Sequence, residues 1–282
     1  MLGTLRHSLS RVARQQLGLL LLAGCWTCSS HAQELPAKSL DIESIVAAGV
    51  LRVAITKFDL PSFHRRRADG KIVGPEVDLA QQVADALKVK LVLISDAPSF
   101  DGVVDTVAKG TADIGISKLS QTYYRLMRVR FSQPYLTLRH GLIFDRAAVA
   151  RLAAGRPADG VLRVFAGSIG VIAGSAYVDF ARRNFPAARV VELPNWTAVV
   201  DALKAQRVDA IYRDEFEIKR VLKISPALNV KFGAAVMTDQ FAFLSIAICN
   251  SCSKLQEFIN YHLAGTRGAF NLNALLSAES TD

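Results

Sequence analysis

The hydrophobic pattern of this chain switches repeatedly between short apolar runs and 3.6-residue periodicity. Residues 41–48 predict a short helix ended by Gly49, and residues 51–55 a strand. A loop follows over 58–70, with Pro61 and the turn pair Asp69-Gly70. Over 76–87 the apolar positions Val77, Ala80, Val83, Ala84 and Leu87 fall on one helical face. Glu76 and Asp78 in its first turn suit the helix dipole. A strand at 91–94, a helix at 100–108 stopped by Gly110, and an apolar strand at 112–116 complete the run. Strands alternating with helices predict a parallel sheet in an α/β unit.

Residues 135–144 carry many β formers and no helix signal. A second alternating run then gives strands at 168–173, 189–193 and 208–212, and helices at 177–184, 197–205 and 215–222. An extended apolar segment at 241–248 leads to a final amphipathic helix at 254–263, with Leu255, Phe258, Ile259 and His262 on one face. Two α/β units joined by two extended segments predict a two-lobed α/β protein with a hinge and a cleft. The expected boundaries are 41–138 for the first part of lobe 1, 139–240 for lobe 2, and 241–282 for the hinge return and completion of lobe 1.

The first residues change the compartment rather than the fold. Arg6, Arg11 and Arg14 precede the apolar run 17–23, and no acidic residue appears before Glu34. This is a secretory leader, too short in its apolar part to span a bilayer. Two ends are open. Ser30-His31-Ala32 before Gln33 gives a leader of residues 1–32. Leu22-Ala23-Gly24 before Cys25 gives a lipoprotein leader of residues 1–24, with a lipid anchor on Cys25. Either way the body is exported. Cys249 and Cys252, spaced C-x-x-C after an apolar run and around Asn250-Ser251, then predict a local disulfide rather than a redox or zinc motif. The net charge of +9 includes the leader arginines. The densest basic cluster, Arg65-Arg66-Arg67, carries no interleaved aromatics, and no nucleic-acid role is expected.

The chemistry concentrates in Ser117-Lys118-Leu119-Ser120-Gln121-Thr122-Tyr123-Tyr124-Arg125. Small polar residues leaving a strand end before a helix start form a site for a small anion. Arg125 could close a planar fork on a carboxylate. The plain alternative is a surface arginine or an ion pair with a neighbouring acid. In the second unit, Gly174-Ser175 and Asp214 occupy equivalent strand ends. Asp214 also reads as the N-cap before Glu215. A cleft between such walls complements a zwitterion.

The ordered motifs Gly49-Val50-Leu51-Arg52-Val53, Asp69-Gly70-Lys71-Ile72-Val73-Gly74, Phe100-Asp101-Gly102, Gly110-Thr111-Ala112-Asp113, Ser120-Gln121-Thr122 with Arg125, and Phe131-Ser132-Gln133-Pro134-Tyr135 resemble the family 3 extracellular solute-binding proteins of bacteria. Gly170-Val171 with Gly174-Ser175, and Arg207-Val208-Asp209-Ala210 with Asp214, extend the resemblance into the second unit, so that it spans residues 49–276. It implies a type II periplasmic-binding fold, a monomer in the periplasm that captures an amino acid or similar carboxylate by lobe closure, and delivery to an ABC importer's membrane permease. No cofactor and no catalysis are implied. Arg125 would bind the ligand carboxylate with Ser120 and the Gly174-Ser175 step, and Asp214 would take the α-ammonium. Ser117 and Lys118 would line the pocket, with Phe100 and Phe63 flanking the ligand side chain. Gly74-Pro75-Glu76 departs from the usual glycine-aromatic-aspartate. Lys118 stands where small residues are common; turned inward it would favour an acidic ligand, and turned outward it is silent. Enzymes of this fold, the exported cyclohexadienyl dehydratases, form the alternative, with Asp214 or Glu215 as the acid. An accessory or sensor-docking role is a further one.

Overall fold

The computed structural model describes residues 41–153, 164–265, 270 and 275. The leader, both of its cleavage sites and Cys25 lie outside them. Asp41 starts the described chain by capping helix α1 (Ile42–Ala48), accepting from Ile42 N at 2.8 Å, and Gly49 ends that helix at φ 67°. The same carboxylate accepts from Lys254 N and Leu255 N, each at 2.9 Å. One aspartate thereby ties the first helix to the start of the last one, α10 (Ser253–Gly265).

Between them the chain runs β1 (Val50–Thr56), a small hairpin β2 (Arg65–Arg66) and β3 (Ile72–Val73), α2 (Pro75–Ala86), β4 (Lys90–Ala97), α3 (Phe100–Ala108), β5 (Ile114–Gly115), α4 (Tyr123–Leu126) and β6 (Arg130–Phe131). A second run follows: β7 (Leu136–Asp145), α5 (Arg146–Ala153), β8 (Ser168–Ile172), α6 (Ala176–Asn184), β9 (Arg189–Leu193), α7 (Trp196–Lys204), β10 (Ala210–Asp214), α8 (Glu215–Ile224), α9 (Leu228–Lys231) and β11 (Phe232–Leu244). Strand β12 (Ala247–Ile248) precedes α10.

The strands form two five-stranded sheets, ordered β4-β1-β5-β12-β6 and β11-β7-β10-β8-β9. Each lobe is built on one of them. In the first, Leu51, Val53 and Ile55 of β1 pack with Leu79 and Val83 of α2 and Leu255 and Ile259 of α10. In the second, Ile169 and Val171 pack with Phe180 and Tyr212. Both sheets are mixed rather than wholly parallel: β12 runs antiparallel to β5 and β6, and β7 antiparallel to β10 and β11. The reason is topological, because β12 returns from the other lobe and enters its sheet from the opposite end.

The crossings are short. Ser132 N donates to Ile246 O, Tyr135 N to Leu244 O, and Ile246 N to Ser132 Oγ, at 2.9, 2.9 and 3.0 Å. Beyond the second crossing, Cys249 and Cys252 are joined by a disulfide with Cα atoms 5.3 Å apart, between β12 and α10.

Candidate ligand-binding site

The carboxyl end of β5 carries Ser117 and Lys118 into the centre of the molecule. Lys118 adopts φ 47°, a left-handed conformation uncommon for a residue with a side chain. Buried Glu76 braces it. Glu76 Oε1 accepts from Lys118 N at 2.7 Å and from the Tyr135 hydroxyl, and its Oε2 lies 3.0 Å from His64 Nδ1. His64 Nε2 in turn lies 3.1 Å from Thr56 Oγ1, and Thr56 N donates to Ser117 Oγ at 3.0 Å. Burial, and then the Glu76 charge, push the Tyr135 phenol well above its usual range. The departure at Gly74-Pro75-Glu76 therefore does more than alter a helix start: the glutamate holds the loop that aims Lys118. Ser117 lies in this supporting network and does not line the cavity.

Lys118 points inward, its side chain 2% exposed. Its ammonium lies 3.3 Å from Asp214 Oδ2 and 3.0 Å from Glu217 Oε1, across the gap between the lobes. It also sits over the rings of Phe63 and Phe216, 4.4 and 5.0 Å from their centroids. Those rings meet edge to face at 5.4 Å. Phe63 thus flanks Lys118 rather than the cavity. Asp214 caps α8 by accepting from Glu217 N at 3.1 Å. Burial drives its carboxyl upward, and the charges of Lys118 and Arg213 outweigh that, holding it below the usual carboxylate range.

Arg125, 1% exposed, follows from Thr122, whose hydroxyl caps the single turn α4. Its Nε donates to Asp101 Oδ1 at 2.8 Å and its Nη1 to Ser120 O at 2.9 Å. Its Nη2 is 2.8 Å from the same Asp101 oxygen but makes no hydrogen bond. Gly174 meets this wall from the other lobe: its carbonyl accepts from Asp101 N at 3.0 Å. At φ +65° with Ser99 Cβ 3.0 Å from where its own Cβ would stand, this position suits glycine. Ser175 donates its hydroxyl to Ile172 O at 2.6 Å rather than capping α6.

A cavity of about 10 Å³, room for about one water molecule, remains between the walls. Phe100, Lys118, Ser120 and Arg125 line it from the first lobe. Ser175, Ala176, Tyr177, Arg213 and Asp214 line it from the second, and Leu244 from a crossing strand. A solute larger than water does not fit this space as it stands.

Arg213, Tyr177 and Glu217 are additions that the sequence reading did not single out. The sequence signal for Arg213 is weak: an arginine that follows the apolar run 210–212, directly before Asp214. Its guanidinium lies over Phe100, Trp196 and Tyr177, 5.3, 5.6 and 5.7 Å from their centroids. Arg213 Nε and Nη1 are buried without hydrogen-bond partners, as is the Tyr177 hydroxyl. Glu215, by contrast, turns away. It accepts from Arg139 N, Nε and Nη2 at 3.0–3.2 Å and from Lys219 Nζ at 2.7 Å. Burial raises its carboxyl, but these partners bring it down to about 2.

Behind the site, His140 bonds the Tyr212 hydroxyl through Nδ1 and packs on Phe180 and Tyr177. Burial lowers its pKa to about 4, against the pull of Asp214 and with a further push from Arg183. The folded value lies below the unfolded one, so the unfolded chain takes up the proton first. Stability is then expected to fall as pH drops from about 6.5 to about 4, by up to about 3 kcal/mol at 1.36 kcal/mol per unit. Thermal melts between pH 7 and 4 should show a shallower acid slope for His140→Gln than for the unaltered chain; equal slopes would assign the acid sensitivity elsewhere.

Residues 51–157 match the profile of the bacterial extracellular solute-binding proteins, family 3. This part of the chain is similar to that family. A cyclohexadienyl dehydratase of Pseudomonas aeruginosa is 29% identical over 196 residues, covering 69% of this chain and 70% of that protein. A putative ABC transporter arginine-binding protein of Escherichia coli is 24% identical over 218 residues, covering 77% and 85%. Among solved structures, an amino acid ABC transporter substrate-binding protein of Streptococcus pneumoniae bound to L-arginine superposes with a TM-score of 0.66 at 27% identity, covering 84% of this chain and 96% of that one. The chain shares its two-lobed architecture with such solved structures. No helix among the described residues is long and apolar enough to cross a membrane.

Proposed function

We propose that this chain is an exported, periplasmic solute-binding protein that works as a monomer. It closes its lobes on a small amino acid or similar carboxylate and delivers it to the permease of an ABC importer. The observation that carries this is Arg125: a fully buried guanidinium, lining the cavity, held by Asp101 and with one nitrogen that makes no hydrogen bond. Ser120 and Ser175 beside it, and the start of α6, supply a polar and electropositive surround for a carboxylate. The names of the arginine-binding relatives support the same reading.

The dehydratase relative keeps an enzymatic reading open, but the two acids the sequence offers for it fit it poorly. A carboxyl acting as general acid must hold a proton at working pH. Asp214 and Glu215 both lie low, and Glu215 does not line the cavity. Purified protein is expected to leave prephenate and arogenate unchanged.

The test is a thermal-shift screen of ligand-free protein against amino acids, keto acids and dicarboxylates. A cognate solute at about 100 times its Kd adds about 2.7 kcal/mol and should raise Tm by roughly 5 °C or more. A panel in which no carboxylate shifts Tm would overturn the solute-binding reading.

A further inference from the structure

The residues lining the cavity have donors to spare. Arg125 Nη2, 2.8 Å from Asp101 Oδ1, Arg213 Nε, 3.5 Å from Asp214 Oδ2, Arg213 Nη1 and the Tyr177 hydroxyl are buried without a hydrogen bond, and the three nitrogens can only donate. A buried donor without a partner carries a desolvation penalty that an incoming acceptor would relieve. The carboxylates, by contrast, are engaged. Asp214 accepts from Glu217 N and faces both Lys118 and Arg213, and Glu217 accepts from Lys118. The Lys118 ammonium stands against Asp214, the position that would otherwise receive a solute's ammonium.

Charge points the same way. The side chains of Lys118, Arg125 and Arg213 are 1–4% exposed, and those of Asp214 and Glu217 are 3–6% exposed. Asp101, at 34%, is screened by water. Among the side chains that line the cavity, Lys118, Arg125 and Arg213 face one carboxylate, Asp214, with Glu217 and Glu76 behind them, and this lining favours a solute of net negative charge. A second ammonium would have to displace Lys118 from its buried pair or sit beside it, and like charges in a low-dielectric site repel strongly. Arg213 is held by the faces of Phe100, Trp196 and Tyr177, which leaves its planar fork to be met edge-on by a carboxylate.

We infer that the solute is a compact dicarboxylate without an α-ammonium group. One carboxylate binds Arg125, the other binds Arg213 and the Tyr177 hydroxyl, and Lys118 serves as a built-in substitute for the ammonium of an amino acid. This rests on the solute-binding reading above and narrows it.

Matched pairs test it by calorimetric titration: succinate with L-aspartate, and glutarate and 2-oxoglutarate with L-glutamate, with L-arginine added. The unaltered chain is expected to bind at least one dicarboxylate tenfold or more tighter than its amino counterpart. Lys118→Ser frees Asp214 and should reverse that preference, a change of order that misfolding cannot produce. Arg213→Met should weaken the dicarboxylate tenfold or more while a melting curve reports the folded state. If L-glutamate, L-aspartate or L-arginine binds as tightly as any des-amino compound, the inference falls and the solute-binding reading stands. If none of these compounds binds and the wider carboxylate screen is also blank, both fall.

Discussion

Replacing Asp214 by alanine is expected to destabilise the protein by about 3–5 kcal/mol. The mutation strands two cations. Lys118 keeps only Glu217, and Arg213 loses the carboxylate 3.5 Å from its Nε. Both side chains are almost wholly excluded from water, so neither can be rehydrated without opening the cleft. Loss of the cap on α8 adds about 1 kcal/mol within that range. Asp214→Asn separates the two causes, since asparagine can still accept from Glu217 N but carries no charge. Urea unfolding should place Asn close to Ala if the charge dominates, and close to the unaltered chain if the cap does. In a double-mutant cycle, Lys118→Met should recover part of the loss, because removing both ends of a buried pair is far cheaper than removing one. An Asp214→Ala cost under about 1 kcal/mol would mean that the cleft is wet and the pair screened.

Arg125→Ala should abolish measurable solute binding with a smaller effect on stability. Truncating one partner of a buried, hydrogen-bonded charge pair costs about 2–5 kcal/mol, or roughly 30- to several-thousand-fold in Kd. In the ligand-free protein its main partner, Asp101, is a third exposed and can turn to water, and the Ser120 carbonyl loses one hydrogen bond. Calorimetry on the identified solute, with circular dichroism as the control for folding, separates the two effects. Unchanged affinity would remove Arg125 from the site.

Several elements announced themselves in the chain because local chemistry and tertiary packing agree there. Helix α3 starts where Ser99 caps it and ends before Gly110, and β9 occupies the apolar run 189–193. Elsewhere the determining contact is remote. The first part of β11, residues 232–240, mixes glycine, apolar and polar residues without a strand's alternation, and residues 232–236 are held as a strand by β7 alongside. Helix α5 buries only Ala148 and Val149, too narrow a stripe to register as periodicity. Residues 58–70 read as loop because the hairpin of β2 and β3 is two residues deep on each side. In the site, Arg125, Ser120, Lys118, Asp214, Ser175 and Phe100 are the residues to which the family resemblance points, and all six line the cavity. Ser117, Phe63 and Gly174 stand one layer behind them. The importance of Glu76 and Arg213 was hidden, because a glutamate in a first helical turn and an arginine in a strand normally face water. Only their partners, Lys118 N and Tyr135 for one and three aromatic faces for the other, reveal that they are interior.

The paired crossings constrain how this molecule can move. Strands β7 and β11 are in register at Leu136 with Leu244, and just beyond them Ser132 and Ile246 exchange bonds in both directions. Sliding one crossing past the other would break bonds on both sides of the gap at once, whereas a bend about an axis across them breaks none. Bending about that axis is thus the motion between the lobes that these bonds leave open. A partner that touches both lobes would read the bend angle as a change in the spacing of its two contact patches.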